Sequence, residues 1–588
     1  MAESSGNVEA HEGLKFVRQA LHPLFGLVAA ACLLAVVGWT GDITALLHWV
    51  TCVTGVAFAL ERAWVFFQYK QQRNARRRLE FHAGLAAIVL ITSTTLMILP
   101  LSSLGKTSIG VHLFIQLAVL ISSFASIIYH QTRFTARAFH PGFVLIFSFL
   151  AIIIAGTLLL MMPRCVAPGN SCTWLDALFT STSAVCVTGL TVQNTAIFFS
   201  FTGQVVILLL IQIGGLGIMT LTFFAAVVLF EGLSLHDRLL LGKMLSENRL
   251  ARIGQTLSFI VALTFITEGI GAVILFISLE SIPDLGMRIF HSVFHSVSSF
   301  CNAGFSTLPD GLADAAVQSN RIWQIVMMVL IIIGGLGALV CEDISHWTMT
   351  TIRLKMGKTG PRPRLKVHSK LVISVTAGLI ISGAIGIFIS EFFIGRGPQN
   401  GGTVLTAFFH SVTARTAGFN TVPMSQISVL TAQILMVLML IGGSPGGTAG
   451  GMRTTVFAIG LAHVWSQLRM SRRGIIIFNR KISPEVGAQA LGVLVLTGVW
   501  LIVNLMILIA LESGQGHSES KLFFELISAF ATVGLSLDLT ASLTPGSQIL
   551  LIVNMFVGRI GLLTVMATLI APDTHPGSGK PQEKILLI

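Results

Sequence analysis

The chain has 588 residues, 53% of them hydrophobic and only 11% charged, with a mean hydropathy of +0.83. A soluble chain of this length carries about twice that share of charge, so an ordinary soluble enzyme is excluded. The formal charge of +12 does not signal a nucleic-acid partner, because no basic stripe is interleaved with stacking aromatics.

The start, MAESSGNVEAHEGLKF, is acidic and polar. Residues 1–16 are therefore expected as a cytoplasmic tail, not a cleaved signal peptide. Apolar runs at 20–40, 45–67, 81–101 and 110–130 reach the roughly 20 residues that cross a bilayer as helix. Residues 17–134 are expected to hold four transmembrane helices. Basic residues gather at 70–78, 133–137, 238–252, 353–370 and 469–481, each after an even number of crossings. Loops of the other parity hold little beyond Lys106, Arg164, Arg288 and Arg396. This positive-inside pattern predicts a multi-pass protein of the cytoplasmic (inner) membrane with both termini in the cytoplasm. Among the cysteines, Cys32, Cys52 and Cys341 lie in apolar runs and read as small core residues. Cys165 and Cys172 share an outer loop where a disulfide could survive.

From residue 135 onward the chain repeats itself. FTSTSAVCVTGLTV, FHSVSSFCNAGFST, FHSVTARTAGFNTV and FELISAFATVGLSL share Gly189, Gly304, Gly418 and Gly534, at intervals of 115, 114 and 116 residues. Long apolar runs precede the motifs (142–162, 256–279, 371–394, 489–511) and follow them (204–230, 322–341, 427–441 and onward, 547–570). The short segments between, such as 174–185 and 287–299, hold about a dozen residues, too few to cross. Each must dip in and return on the outer side, as a re-entrant pore loop. The expected units are 135–250, 251–365, 366–482 and 483–588, the last ending in a short cytoplasmic tail. The fold class is all-α.

Non-helical backbone at membrane depth survives only against protein or a wet cavity. Four half-helices ending at one point would aim partial negative charge at it, which suits a cation. The candidate filter comprises Val187, Thr188 and Gly189; Asn302, Ala303 and Gly304; Thr416, Ala417 and Gly418; and Thr532, Val533 and Gly534. Side chains that differ this much can share an ion site only through the backbone. The alternative, helix-packing glycines, fits one motif but not four at equal spacing.

TSAVCVTGLTV, ILLLIQIGGLGIMT, HSVTARTAGFNTVP and GGSPGGTAGGMRTT resemble the bacterial members of the Trk/Ktr/HKT superfamily of potassium transporters, over roughly residues 140–570. The resemblance implies four M1-P-M2 repeats (outer helix, pore loop, inner helix) around one pore, and a homodimer. It also implies a cytosolic ring of nucleotide-binding regulatory subunits of the RCK/KTN type, and K⁺ uptake assisted by Na⁺ in the Ktr branch. The chain itself needs no cofactor, since nucleotides act only through that partner. The four extra N-terminal spans depart from the family pattern.

The third repeat carries IGGSPGGTAGGMR where the first two have IGGLG. The stretch lacks G-x-x-x-x-G-K-[ST], so it is not a nucleotide loop. It reads as an intramembrane gate loop, 442–452, flexible at Gly442, Gly443, Gly446, Gly447, Gly450 and Gly451 and polar at Ser444 and Thr448. Glu268, mid-span, is either functional or paired within the bundle. His291 and His295 have metal-ligand spacing but no third ligand, so hydrogen bonding is expected of them. Arg559 in VGRIG takes the place of Gly215 and Gly335. It reads as a charge in the permeation path or as the partner of a buried acid such as Glu268. Absence of HExxH removes a membrane metalloprotease. A secondary carrier with inverted repeats conflicts with the common orientation of the units; it stays as the alternative, beside a less selective Na⁺/K⁺ conductor.

Overall fold

The structure, a computed structural model, describes residues 50–60, 89, 141–232, 253–357, 364–393, 403–469 and 474–562. The expected tails and the expected N-terminal spans lie outside the described residues, save for α1 (Val50–Leu60) and Val89.

From Pro141 the elements recur as long helix, short helix, glycine turn, second helix. The first set is α2 (Pro141–Leu160), α3 (Trp174–Val185) and α4 (Phe201–Gly232). The second is α5 (Ile253–Ser278), α6 (Leu285–Phe300) and the pair α7 (Arg321–Leu336) and α8 (Ala338–Lys355). The third is α9 (Val367–Phe393), α10 (Val404–Thr413), α11 (Val429–Leu440) and α12 (Thr454–Leu468). A hairpin of β1 (Ile475–Ile477) and β2 (Arg480–Ile482) leads to α13 (Pro484–Leu511), α14 (Glu519–Phe530) and α15 (Pro545–Ile560). Phe478 and Asn479 turn the hairpin with positive φ at both positions, as a type I′ turn requires.

Among the described residues, Ser258–Ser278, Val367–Phe393 and Pro484–Leu511 are long and apolar enough to cross a membrane. On α5 the exposed side chains of Phe265, Ile266, Ile270, Val273 and Ile277 are apolar and face outward. A helix apolar all round is at home in lipid. The short helices carry the opposite pattern, with buried Ser and Thr on the inner faces of α3, α6 and α10. Their starts are written in the sequence. Thr173 and Asp176 form a reciprocal capping box at α3, Asp284 caps α6, and Thr403 caps α10.

In every set the short helix packs on both of its neighbours, and each second helix also packs on the next set's short helix. Thus α4 meets α6, α7 meets α10, α11 meets α14, and α15 returns to α3. The ring closes after four. Small residues set the spacing within it. Ser181, Ser296 and Ser411 donate to Ile153 O (2.7 Å), Glu268 O (2.6 Å) and Ile380 O (2.8 Å) of the preceding long helices. Gly214, Gly334 and Gly558 let the second helices touch the short-helix ends. A Cβ there would stand 2.8, 3.0 and 2.7 Å from the carbonyl carbons of Val185, Phe300 and Phe530.

One expected element is corrected. The apolar run 322–341 is not a single helix, because α7 and α8 meet at Gly337 with a bend of 102°. Gly337 has φ 88° and ψ 145°, a region open to glycine almost alone. A Cβ there would lie 2.7 Å from Pro445 O. The loop 441–453 occupies the space a straight helix would need.

Candidate ion-conduction site

Each short helix ends in a residue of right-handed conformation: Cys186, Cys301, Ala414 and Ala531. Just beyond it the backbone swings to positive φ: Val187 (55°), Asn302 (59°), Thr416 (74°) and Thr532 (50°). Two residues further on, Gly189 (90°), Gly304 (72°), Gly418 (77°) and Gly534 (95°) do the same. An alternation of φ sign along the backbone turns successive carbonyls toward one side. Three of the four non-glycine positions are β-branched residues, for which positive φ is a true outlier costing on the order of 1–3 kcal/mol. Strain repeated at the same point of four turns is a mark of function.

The four glycines face one another. A Cβ on Gly189 would stand 3.0 Å from Gly304 Cα, and one on Gly304 would stand 2.7 Å from Ala417 O and 3.2 Å from Gly418 Cα. One on Gly418 would lie 3.0 Å from Gly534 Cα, and one on Gly534 would lie 3.1 Å from Gly189 Cα. The glycines and the carbonyls of Thr188, Ala303, Ala417 and Val533 are thus brought together, with Val187, Asn302, Thr416 and Thr532 at positive φ two residues before each glycine. Hydroxyls that the sequence motifs did not single out hold the turns: Ser183 Oγ accepts from Gly189 N (3.0 Å), Ser528 Oγ accepts from Gly534 N (3.1 Å), and Ser298 Oγ donates to Phe305 O (2.8 Å). Their signal was present, since each serine stands six residues before its glycine.

Outside the glycine ring opens a cavity of about 430 Å³ lined by Thr191, Asn194, Ser306, Asn420, Ser536 and Asp538. Fully buried Glu525 fixes the turn that carries Asp538, accepting from Ser536 Oγ (2.5 Å), Leu537 N (3.0 Å) and Thr540 Oγ1 (2.7 Å).

Inside the ring lies the candidate gate loop. A parallel bridge between Ile441 and Met452 pinches its base. Ser444 N and Thr448 N donate to Gly335 O (3.0 Å) and Gly334 O (3.2 Å), the carbonyls left free where α7 breaks. Ala338 N donates to Gly446 O (3.1 Å), and Ser444 Oγ meets Thr454 Oγ1 at 3.1 Å. Gly447 fits beneath Gly334 and Gly335, Gly450 against Thr532, and Gly451 against Ala531. Gly442 and Gly443 pack on Gly450 and Ala449 across the loop. The loop is compactly folded, with little of its glycine left free.

Arg559 donates to Thr448 O and to Gly214 O (3.0 Å), and is 1% exposed. Glu268 accepts instead from Gln212 Nε2 (3.2 Å) and Cys301 Sγ (3.7 Å). The two charges, considered as a pair from sequence, are bonded elsewhere. Two further arginines reach the loop, Arg415 to Gly442 O (3.2 Å) and Arg453 to Ala449 O. His291 Nδ1 meets Thr307 Oγ1 (2.6 Å), while His295 meets His291 O (2.8 Å) and Ser306 Oγ (2.9 Å). No group of three or more metal-binding side chains exists among the described residues. Cys165 and Cys172 are free thiols. Burial pushes both up to about 11, with Asp176 adding to the effect at Cys172, so both stay protonated.

A helical membrane protein whose buried short helices end around four glycines belongs with proteins that pass ions, not with enzymes that make and break bonds. The chain is a member of the TrkH family of cation transport proteins, which it matches over residues 109–575. Relatives include the potassium/sodium uptake protein NtpJ of Enterococcus hirae, 36% identical over 75% of this chain and 95% of the relative. The Ktr system potassium uptake protein B of Vibrio alginolyticus is 34% identical over 75% of this chain and 93% of its own. The crystal structure of the potassium transporter TrkH from Vibrio parahaemolyticus shares the fold, with TM-score 0.58, 17% identity, and coverage of 90% of this chain and 97% of that one. The resemblance read from the four motifs is borne out.

Proposed function

We propose that this chain takes up K⁺ across the cytoplasmic membrane through a pore built from four M1-P-M2 repeats. The backbone carbonyls around Gly189, Gly304, Gly418 and Gly534 serve as the filter, and residues 442–452 serve as the gate, with Arg559 as a fixed charge beneath the filter. Convergence of the four glycines into one closed ring is the observation that carries this reading. Four helix C-termini and oriented carbonyls stabilise a dehydrated monovalent cation without a charged ligand. The names of relatives, potassium uptake protein in the Ktr system and potassium/sodium uptake protein in NtpJ, support the choice of ion. The second name keeps Na⁺ assistance, or a less selective Na⁺/K⁺ pathway, within the reading. Both termini in the cytoplasm, a homodimer, and a cytosolic nucleotide-binding regulator complete it.

The test is Rb⁺ and Na⁺ uptake in a host lacking its own potassium uptake. Wild-type chain should restore Rb⁺ entry and not the entry of organic solutes. Gly304→Ser places a side chain against Ala417 O at positive φ; it should cost roughly 1 kcal/mol locally and lower the K⁺-over-Na⁺ preference while protein still reaches the membrane. Unchanged preference in that variant would reject the filter assignment, and solute entry would favour a carrier.

A further inference from the structure

A small, partly open cavity lies beside the loop, away from the glycine ring. Its walls include Ile331 and Gly335 of α7, Thr376 and Ile380 of α9, Arg415 at the end of α10, and Gly443 of the loop. It offers about 10 Å³, on a scale where about 10–15 Å³ holds one water. One atom-sized guest fits.

Two donors on its wall have no protein partner, Arg415 Nε–H and Thr376 Oγ1–H. Both residues are 7% exposed. Thr157, Thr348, Thr350 and Thr351, helical like Thr376, donate to the carbonyl four residues back, the usual outlet for such a hydroxyl. Thr376 does not. Arg415 uses Nη2 on Gly442 O (3.2 Å), and the ion pairs among the described residues, His346–Glu342 and His517–Glu512, do not include it. The C-terminal end of α10 supplies at most about half a negative charge. A guanidinium left this far from neutral at membrane depth is costly. Arg453 and Arg559, donating to Ala449 O and Thr448 O, bring two more positive charges to the same loop.

We propose that this cavity binds one monovalent halide, chloride in the cell, held between Arg415 Nε–H and Thr376 Oγ1–H. A halide accepts both hydrogen bonds and supplies the missing negative charge. Its weak hydration suits walls of isoleucine and valine, where water would satisfy the donors without neutralising the arginine. The ion sits behind Gly442 and Gly443, so its occupancy bears on how firmly the base of the loop is anchored.

The test uses the full chain in lipid nanodiscs and in crystals, with bromide as probe. Crystals grown in bromide should show an anomalous peak between Arg415 and Thr376. Replacing gluconate by bromide at fixed ionic strength should raise the unfolding temperature by roughly 1 °C, the scale expected for a chain of this length when a ligand at several times its Kd binds only the folded state. Thr376→Val should remove that rise and Thr376→Ser should keep it. A cavity that holds only water, with no anomalous peak and equal unfolding temperatures in both salts, overturns the proposal. Should Thr376→Val fail to fold, the wild-type bromide peak alone decides between halide and water. Potassium uptake is not among the readouts, so failure here is distinct from failure of the transport reading.

Discussion

Arg559 sets the residue-scale question, because a charged side chain 1% exposed inside a bilayer needs a reason. Its hydrogen bonds run to carbonyls of Thr448 in the loop and Gly214 of α4, so it ties the loop to the first set of helices. The guanidinium keeps its full charge when bonded to neutral carbonyls, and on the proposed reading that charge repels a cation passing close by. Arg559→Gln retains two donors while removing the charge. It should raise maximal Rb⁺ uptake by about 15- to 100-fold, the effect of a unit charge some 6–10 Å from the path at an effective dielectric near 20, with little change in half-saturating K⁺. A fall in folded protein at constant turnover per molecule would make Arg559 purely structural. The sequence pointed to this arginine because VGRIG stood opposite GGLG. It did not point to Arg415, which sits in a motif with no counterpart charge, nor to Glu525, whose partners Ser536 and Thr540 become neighbours only when the turn after Gly534 folds back.

Two elements owe their form to contacts made across the ring. The loop 442–452 is held by α7 carbonyls, by Thr532 and Ala531, and by three arginines. Removing Gly446 to Gly450 deletes the Thr448 and Ala449 carbonyls on which Arg559 and Arg453 rest. If this loop obstructs the pore, such a deletion should raise Rb⁺ flux and weaken dependence on the regulatory partner; lower flux at equal membrane abundance would count against a gating role. The bend at Gly337 was invisible in sequence for the same reason, since IGGLG in α4 stays helical through Gly217 while IGGLG in α7 breaks against Pro445. Local propensity was equal, and the tertiary neighbour made the difference. Just past the end of α13, Glu512 accepts from Thr544 N (2.9 Å) and Thr544 Oγ1 (2.8 Å) at the start of α15. Burial alone would raise its carboxyl, but hydrogen bonds from Ser547 and Thr544 and the neighbouring His517 outweigh it and hold the group below its ordinary value of 4.5. A depressed folded-state value gives stability that is present above the unfolded value and lost as pH falls. The unfolding temperature should therefore drop below about pH 4.5, and Glu512→Gln should flatten that drop while lowering the plateau at neutral pH. An unchanged acid limb in the variant would assign the loss to other carboxylates.

At the scale of the whole molecule, charge is distributed unevenly about the glycine ring. One side carries the loop and the three arginines bonded to it, Arg415, Arg453 and Arg559. The other opens into the 430 Å³ cavity, whose lining holds one carboxylate, Asp538, and no basic residue. The cavity was beyond sequence reading because its walls come from all four glycine turns, although the regular spacing of those turns was legible and the four-part ring followed from it. A carboxylate at the mouth of a low-dielectric funnel raises the local cation concentration and the rate of entry. Asp538 stands at φ 59°, a conformation that aspartate and asparagine both tolerate, so Asp538→Asn removes the charge without disturbing the turn. Half-saturating K⁺ for uptake should rise about twofold in media of low ionic strength, as expected for a unit charge roughly 8–10 Å from the entering ion in a water-like dielectric. At about 0.15 M salt, where screening acts over about 8 Å, the difference should shrink toward nothing. Maximal uptake should hold steady, because the ring and the loop lie deeper and are untouched. A shift in half-saturation that persists undiminished at high salt would mean that Asp538 contacts the ion directly; a loss of maximal uptake would mean that it shapes the ring.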